Sequence, residues 1–100
     1  MERTRQPSRP GDILKELYMA PLGMTATAFA AHIGVSRKTV SAILNGRAPI
    51  TVDMALRISR AFCTTPDLWL NLQQKLDLWN ARQAQGSWTE IKPLPTAEAV

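Results

Sequence analysis

The chain has one cysteine, Cys63, one histidine, His32, and no hydrophobic run longer than a few residues. A single cysteine excludes an internal disulfide and with it a stapled secreted scaffold. Its place between Phe62 and Thr64 reads as a small core filler. His32 has no second histidine and no cysteine or carboxylate at ligand spacing, so no metal site is expected, and it reads as a surface or phosphate-proximal residue. The short apolar runs exclude a bilayer span, and the arginine-containing N-terminus has no hydrophobic signal segment, so a cytoplasmic protein is expected. Catalytic constellations are missing too. There is no carboxylate pair in an apolar setting, no Cys/His or Ser/His arrangement and no phosphate-cradling glycine loop, which argues against an enzyme and against a cofactor.

The most informative absence is one of charge. Between Glu16 and Asp53 there is no acidic residue, while Arg37, Lys38 and Arg47 fall inside that gap. With a net charge of +4 and a pI near 9.8, one face of the fold is expected to be positive and to meet an acidic partner, for which nucleic acid is the common choice. One hundred residues at 45% apolar content suffice for one domain and leave no room for a second.

Residues 1–10, MERTRQPSRP, hold Arg3, Arg5 and Arg9 without apolar periodicity and read as a flexible basic arm. Such an arm serves equally as a minor-groove probe or as a solubilising tail. Residues 11–85 read as five helices, an all-α domain. The first starts at Gly11 or Asp12, buries Ile13, Leu14, Leu17 and Tyr18, and stops at Pro21 and Gly23. Thr25 caps the second, with Phe29, Ala30 and Ile33 inside and Gly34 as its left-handed stop. Ser36 caps the third, which turns Val40, Ile43 and Leu44 inward and leaves Arg37, Lys38, Ser41 and Asn45 outside. Thr51 caps the fourth, whose apolar face is Met54, Ala55, Ile58, Ala61 and Phe62, and Thr65 with Pro66 opens the fifth. Residues 86–100, with Trp88, Ile91 and Leu94 among Pro93 and Pro95, suit an extended tail or a short strand.

The segment from Thr25 to Asn45 has the parts of a helix-turn-helix. Ala30 is small enough for a close helix crossing, Gly34 supplies the positive φ of the turn, and Val35, Val40 and Ile43 anchor the third helix. That helix is about 14 Å long at 1.5 Å per residue, a fit for a major groove about 12 Å wide. Thr25, Thr27, Ser36, Arg37, Lys38, Thr39, Ser41, Asn45 and Arg47 are the candidate DNA contacts, with Arg37, Lys38 and Ser41 on the approaching face. Asn45 fits either a helix cap or an adenine reader, and Asn before Gly favours the cap on local grounds. Trp69, Leu72, Leu76 and Trp79 form a stripe longer than the core needs, so Trp79 and Trp88 are assigned to a dimer or partner interface.

Three stretches, PGDILKELYMAPLGMT, AAHIGVSRKTVSAILNGRAPITVDMALRISRAF and TTPDLWLNLQQKLDL, carry a family resemblance. Over about residues 10–78 the chain resembles the lambda-repressor-like helix-turn-helix family, and within it the HigA-type antitoxins of bacterial toxin-antitoxin pairs. The resemblance implies a five-helix domain, a homodimer, repression of its own operon at double-stranded operator DNA, and binding of a toxin similar to messenger-RNA-cleaving ribonucleases. A free-standing repressor without a toxin is the alternative. Relatives usually place Gln just after the cap of the second helix, where this chain has Ala26, leaving the phosphate contact to Thr25 and Thr27. A basic toxin would have to meet local acidic or apolar patches, with Glu2, Asp12 and Glu16 or Asp67, Asp77 and Glu90 as the acidic candidates.

Overall fold

The computed structural model describes residues 5–95; Glu2 and Arg3 of the arm and residues 96–100 of the tail lie outside the described residues. The first helix, α1, starts one residue earlier than expected, as an α-helix at Pro10–Ile13. Proline at its first turn lacks only an N–H that would have had no intrahelical partner. It widens to a π-helical segment at Leu14–Met19 and closes with a 3-10 turn at Ala20–Leu22, ended by Gly23 at φ 62°. The wider winding changes which residues face inward. Leu14 and Met19 are buried, whereas Leu17, expected in the core, is 63% exposed.

The next helices are α2 (Ala26–Ile33), α3 (Arg37–Leu44), α4 (Val52–Phe62) and α5 (Pro66–Ala84). Each of these four opens on a hydroxyl cap of the expected identity. Thr25, Ser36, Thr51 and Thr65 accept from the backbone N–H three residues on, at 3.1, 3.1, 3.2 and 3.3 Å. A cap of this kind contributes about 1 kcal/mol by satisfying one of the four free donors at a helix start.

The core gathers Leu14, Phe29, Val40, Ile43, Ile58 and Trp69 from all five helices. Tyr18, Phe62, Phe29 and Trp69 form an aromatic cluster with neighbouring ring centroids 5.2–5.4 Å apart, Phe29 stacked on Phe62 and Trp69 edge-on to Tyr18. The Trp69 indole N–H donates to Thr64 Oγ1 at 2.8 Å, so its one polar atom is satisfied where the ring is fully buried. α2 packs on α3, α4 on α5, and α1 across the end of α3. That last crossing depends on Gly11, since a methyl group there would collide with the carbonyl oxygen of Ile43.

Two expectations need correction. Cys63 is exposed rather than a core filler, because it ends α4 in the left-handed region at φ 55° and its side chain turns outward. The segment after α5 begins with a 3-10 turn, Ser87–Glu90, where extended chain was expected; Thr89 Oγ1 and N–H both bond the Gly86 carbonyl and close it. Among the described residues there is no strand. No described helix is long and apolar enough to cross a membrane, and no described group of His, Cys, Asp and Glu could hold a metal ion.

Candidate nucleic-acid interface

The turn between α2 and α3 sets how α3 is presented. Gly34 adopts φ 76°, and the N–H groups of Gly34 and Val35 both bond the Ala30 carbonyl, at 2.9 and 3.0 Å. This six-to-one closure with a left-handed residue ends α2 abruptly, and α3 starts three residues after Gly34. Arg57 on α4 locks the turn from below. Its Nη1 donates to the Ile33 carbonyl at 2.7 Å, and its Nε to Asp53 Oδ2 at 2.8 Å. A cation on free carbonyls at a helix C-terminus is favourable, and this one fastens the turn to the scaffold.

α3 ends as firmly as it begins. Gly46 takes φ 72°, its N–H bonds the Ile43 carbonyl at 3.1 Å, and Arg47 N–H bonds the Ala42 carbonyl at 2.8 Å, a Schellman closure. Asn45 is its cap residue, and its Nδ2 reaches back to the Ser41 carbonyl at 2.9 Å and to Ser41 Oγ at 3.3 Å. Downstream, Ile50 N–H donates to Gln73 Oε1 at 2.9 Å, which ties the loop after α3 to α5.

The expected DNA-contact residues form an exposed band in which Ser41 is the one exception. Thr25, Thr27, Ser36, Arg37, Lys38 and Thr39 are exposed around the N-terminal ends of α2 and α3. Ser36 and Thr39 share a hydroxyl contact of 2.8 Å, which aligns the two groups at the helix start. Ser41 is partly buried and engaged by Asn45, so it presents less surface than its position on the helical wheel suggested. Arg47 is exposed at the other end of α3. Trp79 and Trp88 stand apart from this band, on α5 and in the turn after it, the first partly buried and the second exposed. The supporting residues Gly11, Arg57 and Gln73 were not singled out beforehand. Only the four-residue spacing of Asp53 and Arg57 was a visible signal, since the other contacts join distant parts of the chain.

The charges at the helix starts follow a pattern. α1, α4 and α5 each carry an acid in the first turn, Asp12, Asp53 and Asp67, where the positive end of the helix dipole favours it. α2 and α3 have none, and α3 instead opens with Arg37 and Lys38. Neither cation has an ion-pair partner among the described residues. The starts of these two consecutive helices thus present free N–H groups and hydroxyls, and that of α3 two cations besides, an arrangement suited to phosphates and base edges.

A pair of capped helices joined by a glycine turn, the second held outward by a buried Val and Ile, defines a helix-turn-helix domain. Comparison with known proteins gives the same class: the helix-turn-helix family model matches residues 14–69. An uncharacterized HTH-type transcriptional regulator of Haemophilus influenzae is 39% identical over 93 residues, covering 90% of this chain and 87% of that protein. Antitoxin HigA-1 of Vibrio cholerae is 38% identical over 91 residues, covering 90% of this chain and 86% of that protein. The solved structure of antitoxin GraA in complex with its operator matches with a TM-score of 0.84 at 38% identity, covering 96% of this chain and 99% of that one. The chain belongs to the lambda-repressor-like helix-turn-helix family, among the relatives of the HigA-type antitoxins.

Proposed function

We propose that this protein binds its own operator as a homodimer, represses its operon, and acts as the antitoxin of a ribonuclease-like toxin in the bacterial cytoplasm. The observation that carries the DNA-binding part is the charge pattern at the helix starts: α2 and α3 lack the usual acid, and α3 opens instead on Arg37 and Lys38, which stand unpaired among the described residues. In this reading Thr25, Thr27, Ser36 and Thr39 bond phosphates, and Arg37, Lys38 and Ser41 approach base edges. Asn45 caps α3 from within, and Arg47 meets the backbone at its far end. A symmetric dimer then reads two half-sites about 34 Å apart, one helical turn. Trp79 and Trp88 supply dimer or toxin contacts. Two similar proteins, an antitoxin HigA-1 and an antitoxin GraA in complex with its operator, support the combination.

Mobility-shift titration of the promoter duplex with wild-type protein and with Arg37→Ala/Lys38→Ala tests the first part. Promoter-selective binding that the double substitution abolishes is the expected result; undiminished binding would refute the assigned face. The antitoxin part is tested by co-expressing the neighbouring reading frame with this chain. A growth-inhibiting product that copurifies with the protein and is neutralised by it is expected. A stand-alone repressor is the second reading, favoured by the uncharacterized regulator among the similar proteins, and a harmless or absent neighbour would select it.

A further inference from the structure

Residues 6–9 of the basic arm are tied to the domain. Gln6 Nε2 donates to Asn80 Oδ1 at 3.2 Å, Pro7 is buried, and Arg9 is the cap residue from which α1 starts. The Arg9 side chain lies over Gly46, the left-handed residue that ends α3. A Cβ at position 46 would sit 3.1 Å from Arg9 Nη1 and 3.4 Å from Arg9 Cδ. The bare backbone of Gly46 therefore leaves the space that the guanidinium stem occupies. Arg9 and Arg47 border one open cleft of about 330 Å³. The carboxylate on its wall, Asp77, accepts from Gln73 Nε2 at 2.9 Å, and among the described residues no acid pairs with either arginine.

We propose that Arg9 and Arg47 form a phosphate clamp at the C-terminal end of α3, which grips the DNA backbone opposite the wall met by the starts of α2 and α3. The proposal rests on the DNA-binding reading above and assigns Arg9 a role on the outside of the groove rather than in a minor groove. Length supports it. The eight residues of α3 span about 12 Å, and a major groove is about 12 Å wide, so the hydroxyls at the start of the helix and the arginines at its end meet one wall each. A phosphate oxygen accepts charge-assisted hydrogen bonds from guanidinium groups, the strong kind that such a clamp requires.

The test is fluorescence-anisotropy titration of promoter and scrambled duplexes over a range of salt, with wild type, Arg9→Ala, Arg9→Lys and Arg60→Ala as an exposed-charge control on α4. Loss of one phosphate contact lowers the slope of log K against log salt by about 0.9 and weakens binding about fivefold near 0.15 M salt, so a substitution carried by both protomers of the dimer lowers the slope by about 1.8 and weakens binding about thirtyfold. Arg9→Ala is expected to show both changes, equally on both duplexes, while Arg9→Lys keeps most of the slope and Arg60→Ala keeps all of it. Weaker binding by Arg9→Ala at unchanged slope would mean that Arg9 only braces Gly46, and the clamp would be wrong. A slope change matched by Arg60→Ala would overturn it as well. Wild-type protein that binds neither duplex would refute the DNA-binding reading itself, whereas wild-type binding with a normal Arg9→Ala slope would refute only the clamp.

Discussion

The two halves of α5 carry the same apolar rhythm and meet different surroundings. In the first half Trp69 is fully buried against Tyr18 and Leu72 packs on the core. Beyond Leu72 no described residue belongs to the core, and Leu78, Trp88, Ile91 and Leu94 are all exposed. Periodicity records that a face is apolar and is silent about whether the covering surface comes from the same chain. The first half is part of the scaffold that aims α3, and the second extends an elongated molecule of 54 × 25 × 23 Å.

The sharpest way to break this contrast is to remove one tryptophan from the first half of α5 and one from the exposed turn that follows its second half. Trp69→Ala is expected to destabilise the protein by about 3–5 kcal/mol, as large aromatic truncations in a core do. Trp88→Ala, by contrast, should stay within about 0.5 kcal/mol in urea denaturation of dilute protein. Equal losses would erase the distinction. A Trp88→Ala effect seen only on self-association or on a partner would sharpen it. The next largest effect is expected at Gly11, where Gly11→Ala forces α1 away from the Ile43 carbonyl at a cost of about 1–3 kcal/mol and tilts α3. Its DNA affinity should fall although no contact residue has changed, and thermal melting together with a promoter titration checks both. The smallest effect has the opposite sign. Lys38→Glu places an acid at the positive end of α3 and is expected to raise stability by about 0.3–1 kcal/mol while it removes DNA binding. A loss of stability there would show that the cation is part of the scaffold.

Much of the scaffold was legible because its signals are local. A hydroxyl before each of the four apolar helices, glycine at positions 34 and 46 and proline at 66 act on their own backbone, so Thr25, Ser36, Thr51 and Thr65 could be read without a fold. The inward set Phe29, Ala30, Ile33, Val40 and Ile43 followed from 3.6-residue spacing. What escaped is non-local or breaks that spacing. Leu17 was misplaced because α1 is wound as a π-helix between Leu14 and Met19, for which the local pattern carries no mark. Cys63 was misplaced because apolar neighbours outweighed its position just past a helix end. The fixing of Gln6 by Asn80, of Ile50 by Gln73 and of the Ile33 carbonyl by Arg57 joins residues 23 to 74 positions apart, beyond the reach of any periodicity. At the candidate interface the acid-free interval was visible in the sequence. Only the fold shows that it leaves two adjacent helix starts without their usual acids.

The central claim is that Arg37 and Lys38 sit at the start of α3 for DNA rather than for the fold. Its most direct test measures both quantities on one variant, Arg37→Ala/Lys38→Ala, by urea denaturation and by titration of the promoter duplex. The account predicts stability within about 0.5 kcal/mol of wild type, or slightly above it, together with loss of promoter binding. Intact promoter affinity in a fully folded double variant would contradict it.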